Sequence, residues 1–377
     1  MRILHVASIV GKGGVGRFIF ELVKNICDKD IQQDVLSICR SVYYDMPCEK
    51  FGPFVGGRGF IASLFGAIRL RAFLVRHSYD IVHIHTNNAA GFAYAEAAKL
   101  AGVKYRIVHS HNTSLGKGSS KVKYIVDAAI KGILRYAPTH CLACSKEAGI
   151  FLFGDRAFTV INNGVDTARF SFDSEMRRKM RKKLSLTDTV TLGFCGNLSP
   201  EKNVYKCLNV FAVLSRRDPC VRLLIVGSGE DEESLKKEAQ ALSIDDKIVW
   251  VGSVPDPENY YASMDCLLMP SYFEGFPLTM VEAQANGLPV IASSRITDEV
   301  ALTPIVKMLD INESDEVWAH CIVELVKKAR IYYREEFAVK IMCAGFDKQN
   351  TVDGVRSLYL NLMSTYDIGE KQNHNSI

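Results

Sequence analysis

No apolar run in the chain approaches the roughly 18–20 residues that a membrane-spanning helix requires, so any membrane role is expected to be peripheral. The opening residues, Met-Arg-Ile-Leu-His-Val-Ala, lack a charged leader followed by an apolar signal core and read as a buried strand. Lopsided charge is missing too. The 46 Lys and Arg against 42 Asp and Glu leave a formal charge of +4, far below the balance of a dedicated nucleic-acid binder. Among the eleven cysteines only Cys141 and Cys144 have C-x-x-C spacing, and no second pair or nearby His cluster completes four ligands. Buried, reduced thiols in a cytoplasmic protein are the reading that fits. There is no short-period repeat, and the polar tail from Gly369 to Ile377 is the one low-complexity stretch.

What is present is enough chain for two cores. At 377 residues it exceeds the ~250–300 at which a single core stops growing, and 48% hydrophobic with 23% charged residues is an ordinary globular balance. Short β-rich runs alternate with helical patterns: Ile3–Ile9 then Val15–Cys27, Val35–Cys39, Ile61–Arg76 then Ile81–His85, and Gly91–Leu100 then Tyr105–His109. The rhythm restarts at Val190–Cys195 and runs through Arg222–Val226, Lys247–Val251 and Cys266–Met269. Such alternation predicts α/β domains with parallel sheets covered by helices. The turn-rich Asn162-Asn163-Gly164-Val165-Asp166 places the hinge, giving domains of residues 1–165 and 166–351. Just beyond it, Arg177, Arg178, Lys179, Arg181, Lys182 and Lys183 surround a stripe of Met176, Met180 and Leu184, read as a solvated helix face with anionic lipid as the alternative.

The stretch from Pro270 to Ala292 carries the most chemistry: P-S-Y-F-E-G-F-P-L-T-M-V-E-A, ending in G-L-P-V-I-A. It reads as strand, loop, helix, turn and strand, with Pro277 suited to the first helical turn, Glu274 in the loop and Glu282 within the helix. A parallel strand feeding such a loop points it, and the free N–H groups of the helix, toward the place where open α/β sheets bind ligands. A bare E-x7-E is usually no more than two surface residues; its setting here makes it specific.

With these residues the chain resembles the retaining GT-B glycosyltransferases of family 4, over nearly its whole length. The resemblance implies two Rossmann-like, doubly wound domains with an interdomain cleft, the C-terminal helix of about 352–368 completing the first. It also implies that Glu274 contacts donor-sugar hydroxyls, that backbone near Gly275, Phe276, Pro277 and Leu278 holds sugar and phosphate, and that Glu282 accepts from the ribose hydroxyls, as an ionised carboxylate can. Gly193 to Asn203 resembles the family's G-R-L-x-x-x-K-N loop, in which Lys202 would neutralise the donor diphosphate. Asn197 stands where the family has Arg, so one cationic fork is missing. Ile225-Val226-Gly227-Ser228-Gly229-Glu230 resembles the V-G-x-G turn of the donor site, and the segment around Val254 the nucleobase contact; either could equally be a plain strand-to-helix turn.

Gly11-Lys12-Gly13-Gly14-Val15-Gly16-Arg17-Phe18 follows a strand and opens a helix like a phosphate loop, but Arg17 and Phe18 replace the Lys and the Ser or Thr that nucleotide and magnesium binding need. In the resembled family this turn lines the cleft, which suits Gly14 and Gly16. Four histidines form two H-x-H pairs, His83 with His85 and His109 with His111, each on one face of a strand. Zinc is one use of such pairs. The resemblance implies another, a hydrogen bond to the donor sugar near the reacting carbon, by His111 or, one step back, His109.

The expectation is a retaining, hexosyltransferase-type enzyme that moves a sugar from a nucleotide-diphospho-sugar, UDP-linked by expectation, without cofactor or metal. The softer resemblance to capsule and exopolysaccharide enzymes implies a saccharide acceptor, polyprenyl-diphosphate-linked, met at the inner membrane face through Lys117, Lys121, Lys123 and Lys131; those lysines could equally be a solvated face. The rivals are a non-catalytic GT-B-shaped binding subunit, favoured by Asn197, and a nucleotide-sugar epimerase.

Overall fold

The computed structural model describes residues 1–7, 14–38, 51–53, 60–115, 120–274 and 276–374. The chain divides into two compact units: Met1–Asn163 together with Lys348–Ile377, and Gly164–Asp347.

The first unit carries strands β1 (Arg2–Ala7), β2 (Gln32–Ser37), β3 (Phe51–Pro53), β4 (Ile81–Thr86), β5 (Tyr105–Ser110), β6 (His140–Ala143) and β7 (Thr159–Val160). They form one sheet in the order β3-β2-β1-β4-β5-β6-β7, and every pairing is parallel. Helices α1 (Gly14–Asn25), α2 (Phe60–Arg76), α3 (Ala90–Leu100), α4 (Lys121–Ile133) and α5 (Lys146–Phe153) connect them. Alternation sets which residues go to which face. On one face of the sheet Ile3, Ile81 and Ile107 pack with Phe18 and Leu22 of α1, and with Val352, Val355, Tyr359 and Leu362 of the chain's last helix.

The second unit holds α6 (Thr167–Phe170), α7 (Ser174–Lys183), β8 (Val190–Cys195), α8 (Val204–Arg217), β9 (Val221–Val226), α9 (Glu232–Ala241), β10 (Ile248–Gly252), α10 (Pro257–Ser263), β11 (Cys266–Met269), α11 (Leu278–Ala285), β12 (Val290–Ser293), β13 (Val306–Leu309), α12 (Asp315–Ala329) and α13 (Phe337–Cys343). Its sheet, again all parallel, runs β10-β9-β8-β11-β12-β13. Nearly continuous apolar strands such as Cys266–Met269, buried along their whole length, are what a sheet covered on both faces requires. One core joins α8 and α12 to the sheet; the other joins α7, α10, α11 and α13. The chain then enters α14 (Lys348–His374), the helix already met against the first sheet.

Both sheets are doubly wound, as expected: strand order reverses between β1 and β4 in the first and between β8 and β11 in the second. In such sheets ligands bind beyond the strand carboxyl ends at the reversal.

The basic helix departs from a simply solvated face. Arg177 donates to Asp265 at 2.6 Å and to the carbonyls of Ala262 and Met264, both at 2.9 Å. Arg181, 8% exposed, donates to Asp265 at 3.2 Å and to the carbonyls of Ser263 and Thr189. Two of the six cations are therefore internal fastenings of α7 to the end of α10 and the residues that lead into β11, and Arg178, Lys179, Lys182 and Lys183 remain on the surface.

Candidate active site

In the second unit the strands flanking the reversal deliver their loops to each other. From the loop after β8, Lys202 ends a short turn of 3-10 helix, Pro200–Lys202. From the loop after β11, Glu274 receives its ammonium at 2.6 and 2.5 Å, one contact to each carboxylate oxygen. Ser271 donates to Glu274 at 2.8 Å, so the carboxylate is held from two sides. The backbones are stitched as well: Tyr272 N–H donates to the Glu201 carbonyl at 2.8 Å, and Asn203 donates its side-chain amide to the Pro270 carbonyl at 3.2 Å. Asn203 adopts a left-handed conformation (φ 51°), which Asn tolerates better than most residues.

Glu282 lies on α11, buried at 6% exposure, and accepts a hydrogen bond from the Tyr261 hydroxyl at 3.1 Å. Tyr261 is itself fully buried, and burial followed by the nearby Cys195 and Glu282 pushes its hydroxyl well above the usual phenol range. Burial likewise pushes the Cys195 thiol up to about 12, which removes it as a thiolate nucleophile. Just ahead of α11, Phe276 stacks on Phe346 with 6.2 Å between centroids, Pro277 is buried, and Leu278 donates its N–H to the Phe276 carbonyl at 2.9 Å. Gly275 lies outside the described residues.

Asn197 is exposed at the loop's turn. Gly227 and Gly229 have a packing reason to be glycine. A Cβ at Gly227 would stand 1.8 Å from the Gly196 carbonyl oxygen, and one at Gly229 would stand 2.1 Å from that of Leu198. The two loops lie against each other, with Leu198 N–H donating to the Ser228 carbonyl at 3.0 Å. Val254 packs on the core beneath α11.

In the first unit the structure gathers five buried histidines: His5 on β1, His83 and His85 on β4, His109 on β5 and His111 just past its end. His5 pairs with His83 in strand register and His85 with His109. His5 Nδ1 lies 3.1 Å from His85 Nε2, His85 Nδ1 lies 3.1 Å from His111 Nε2, and His5 Nε2 lies 3.0 Å from Gln33 Oε1. A second row runs from Tyr359 to His83 Nδ1 at 2.6 Å and from His83 Nε2 to His109 Nδ1 at 3.3 Å. Phe18 closes over His85, His109 and His111 edge-on. Burial holds His5 down at about 4 and His111 at about 3, and lowers His83, His85 and His109 well below the usual imidazole value. All five are therefore neutral near pH 7. Gly14 and Gly16 open α1, the first exposed and the second buried.

Tyr261, Ser271, Gln33 and His5 were not anticipated. Of these Ser271 lies within the P-S-Y-F-E stretch and His5 is the one polar residue inside the apolar run Ile3–Val6, whereas Tyr261 and Gln33 carry no such signal. Cys141 and Cys144 are buried free thiols. Among the described residues the groups able to converge on a metal are drawn from the histidine cluster.

Two doubly wound parallel sheets in one chain, each with polar groups at its strand reversal, define a GT-B-type architecture. Two family descriptions match the chain: Glycosyltransferase Family 4 over residues 12–169 and Glycosyl transferases group 1 over residues 176–299. The Bacillus subtilis protein EpsF is 28% identical, covering 99% of this chain and 98% of its own. The UDP-Gal:α-D-GlcNAc-diphosphoundecaprenol α-1,3-galactosyltransferase of Escherichia coli is 24% identical over 80% of this chain and 81% of its own. Among solved structures, Anabaena HepE in complex with UDP superposes with a TM-score of 0.74 at 19% identity, over 96% of this chain and 100% of that one. The chain belongs to the GT-B glycosyltransferases of family 4, and it is an enzyme of hexosyltransferase type.

Proposed function

We propose that the protein transfers a sugar, with retention of anomeric configuration, from a UDP-sugar to a lipid-linked saccharide during assembly of a surface polysaccharide. The observation that carries the reading is the Lys202–Glu274 pair at the β8/β11 reversal, with buried Glu282 on the helix that follows. It sets a cation and two carboxylates on the elements where an open α/β sheet binds its ligand, which supports one carboxylate for the sugar and one for the ribose. Lys202 would face the leaving diphosphate as the glycosidic bond breaks. Glu274 would release one of its contacts to accept from sugar hydroxyls, with Ser271 keeping its orientation. Glu282, held by Tyr261, would accept from the ribose. Charge on the leaving group would then be met by the protein, and no metal is needed. The E. coli relative acts on a UDP-galactose donor and a diphosphoundecaprenol-linked acceptor, which supports the same classes of substrate here.

The lipid-linked acceptor has support of its own in α4. Val122, Ile125 and Ile133 are 68%, 68% and 79% exposed at helical spacing, and Tyr136 follows at 76%. This is an apolar stripe turned to solvent, a mark of contact with a membrane or another apolar partner. No helix among the described residues is long and apolar enough to cross a membrane. The lysines expected to help are partly committed elsewhere. Lys131 is paired with Asp127 at 2.7 Å, Lys123 donates to the Leu115 carbonyl at 3.0 Å, and Lys117 lies outside the described residues, leaving Lys121 exposed.

A thermal-shift panel of UDP-, GDP- and ADP-sugars without added metal, on wild type and Glu282→Ala, tests the donor. Stabilisation by UDP-sugars that the substitution abolishes is expected. Stabilisation by none of them would favour the non-catalytic reading suggested by Asn197.

A further inference from the structure

The histidines of the first unit form a hydrogen-bonded row whose proton positions can be worked out from one end. Gln33 donates its side-chain amide to the Ile26 carbonyl at 3.1 Å, which fixes the flip of the amide and turns Oε1 toward His5. A carbonyl oxygen only accepts, so His5 carries its proton on Nε2. A neutral imidazole has one donor and one acceptor, so His5 Nδ1 accepts, and His85 must donate from Nε2. His85 Nδ1 then accepts in turn, and His111 must donate from Nε2. That leaves His111 Nδ1 as a bare lone pair. It is buried and has no hydrogen-bond partner among the described residues. The premise of neutrality is met, since burial depresses all three imidazoles. Each step also moves one strand over, from β2 to β1 to β4 to the end of β5, and finishes at the carboxyl end of the sheet.

We propose that Gln33, His5 and His85 are positioning residues that lock His111 in the Nε2–H tautomer, so that its Nδ1 is an obligate acceptor for a hydroxyl of the sugar substrate. An unpaired buried acceptor carries a desolvation cost that a substrate hydroxyl would relieve. The opposite tautomer would present N–H to that hydroxyl and would set its bare Nε2 against the bare Nδ1 of His85, lone pair to lone pair. The second row does not have this property. Tyr359 is a hydroxyl that both donates and accepts, so the His83–His109 direction is not determined by it. A metal on the same cluster is disfavoured because both nitrogens of His85 are already taken up in the row. The role assigned to the lone pair rests on the proposed glycosyl transfer; the tautomer itself does not.

The test reads the tautomers directly, by long-range 1H–15N correlation on full-length protein labelled with 15N-histidine, with assignments from single His→Gln variants. His5, His85 and His111 are expected as Nε2–H forms, and a saturating UDP-sugar should shift His111 Nδ1 in the direction of an accepted hydrogen bond. Gln33→Leu and Gln33→Glu both lose the bond to Ile26, but only the first removes the acceptor from His5. Gln33→Leu is therefore expected to mix the His111 tautomers and lower kcat about tenfold, the worth of one such hydrogen bond, with KM for the donor little changed. Gln33→Glu keeps an acceptor on His5 but sets a carboxylate against it that favours a second proton on the ring, so His5 Nδ1–H should donate to His85 Nε2 and reverse the row, leaving His111 as the Nδ1–H form. An Nδ1–H tautomer at His111 in the wild type would overturn the proposal, as would Gln33→Leu with tautomer and kcat unaltered, or stoichiometric zinc binding that abolishes the His111 pattern. If the tautomers hold but no donor is turned over, the row stands and the glycosyl-transfer reading falls.

Discussion

Replacing Lys202 by Ala separates catalysis from stability by the size of the two effects. Its ammonium touches both oxygens of Glu274, at 2.6 and 2.5 Å, in a part-buried pair whose lysine side chain is 25% and glutamate side chain 9% exposed. A part-buried pair contributes more than a surface pair and less than a fully buried one, about 1–2 kcal/mol to folding. Glu274 also keeps the hydroxyl of Ser271 at 2.8 Å after the lysine is gone. The second unit should therefore lose no more than about 2–8 °C of melting temperature.

The catalytic loss should be far larger. On the proposed reading Lys202 meets charge that appears only as the diphosphate leaves, and a preorganised group of that kind typically contributes about 2.7–4 kcal/mol, or 10²–10³ in kcat. Asn197, where the family resemblance places a second cation, supplies no charge to compensate. Initial rates of sugar transfer, with the donor found by thermal shift, should fall by that factor in Lys202→Ala, with Lys202→Arg recovering part of it. Turnover within about threefold of wild type would refute the assignment, because so small a loss is under 1 kcal/mol. A drop in melting temperature above about 10 °C would refute it differently, by making the lysine a structural residue.

Two further outcomes follow from buried groups. Asp265→Ala strands Arg181, 8% exposed, with no carboxylate and removes the acceptor for the Thr191 N–H at 2.8 Å, so the second unit should lose about 3–5 kcal/mol in urea unfolding; a loss under 1 kcal/mol would show that the pair is not what fastens α7. In the first unit His5, at about 4, and His111, at about 3, stay neutral in the fold where the unfolded chain protonates near 6.5. Their contribution is complete above that value and is lost as pH falls from about 6.5 toward 4, by up to about 1.4 kcal/mol per pH unit for each group. His83, His85 and His109 act in the same direction, so urea midpoints should fall steeply between pH 7 and 5, and a flat profile would contradict the buried, neutral row.

The legible parts of this fold were those in which neighbours in sequence decide the outcome. Runs such as Cys266–Met269 are apolar throughout and could only be covered strands, and Pro277 with Glu274 before it and Glu282 after it marks a loop entering a helix. β2 was placed late, from Val35, because its true start is polar; Gln33 and Asp34 are tolerated inside only because His5, Arg2 and Tyr79 lie against them. Arg177 and Arg181 looked like surface cations for the same kind of reason, since the carboxylate they serve is Asp265, more than eighty residues along the chain. The two H-x-H pairs were plain, but their union with His5 depends on the register of β1, β4 and β5, which no local pattern specifies.

That register leads to a contrast between the units. At one strand reversal the side chains are charged, Lys202 against Glu274 with Glu282 beyond; at the other they are neutral imidazoles ordered by Gln33. A cation would attract diphosphate wherever it stood, whereas a neutral, correctly tautomeric imidazole accepts from a hydroxyl and exerts little pull on phosphate. On the proposed reading one sheet meets the diphosphate and the other the sugar hydroxyls, which gives a reason to keep the histidines uncharged. Burial under Phe18, α1 and α14 does this with no carboxylate among the described residues shifting the His109 ring. Opening that cover, for instance by Phe18→Ala, would therefore be expected to raise the imidazole pKa values before it disturbed the sheet itself.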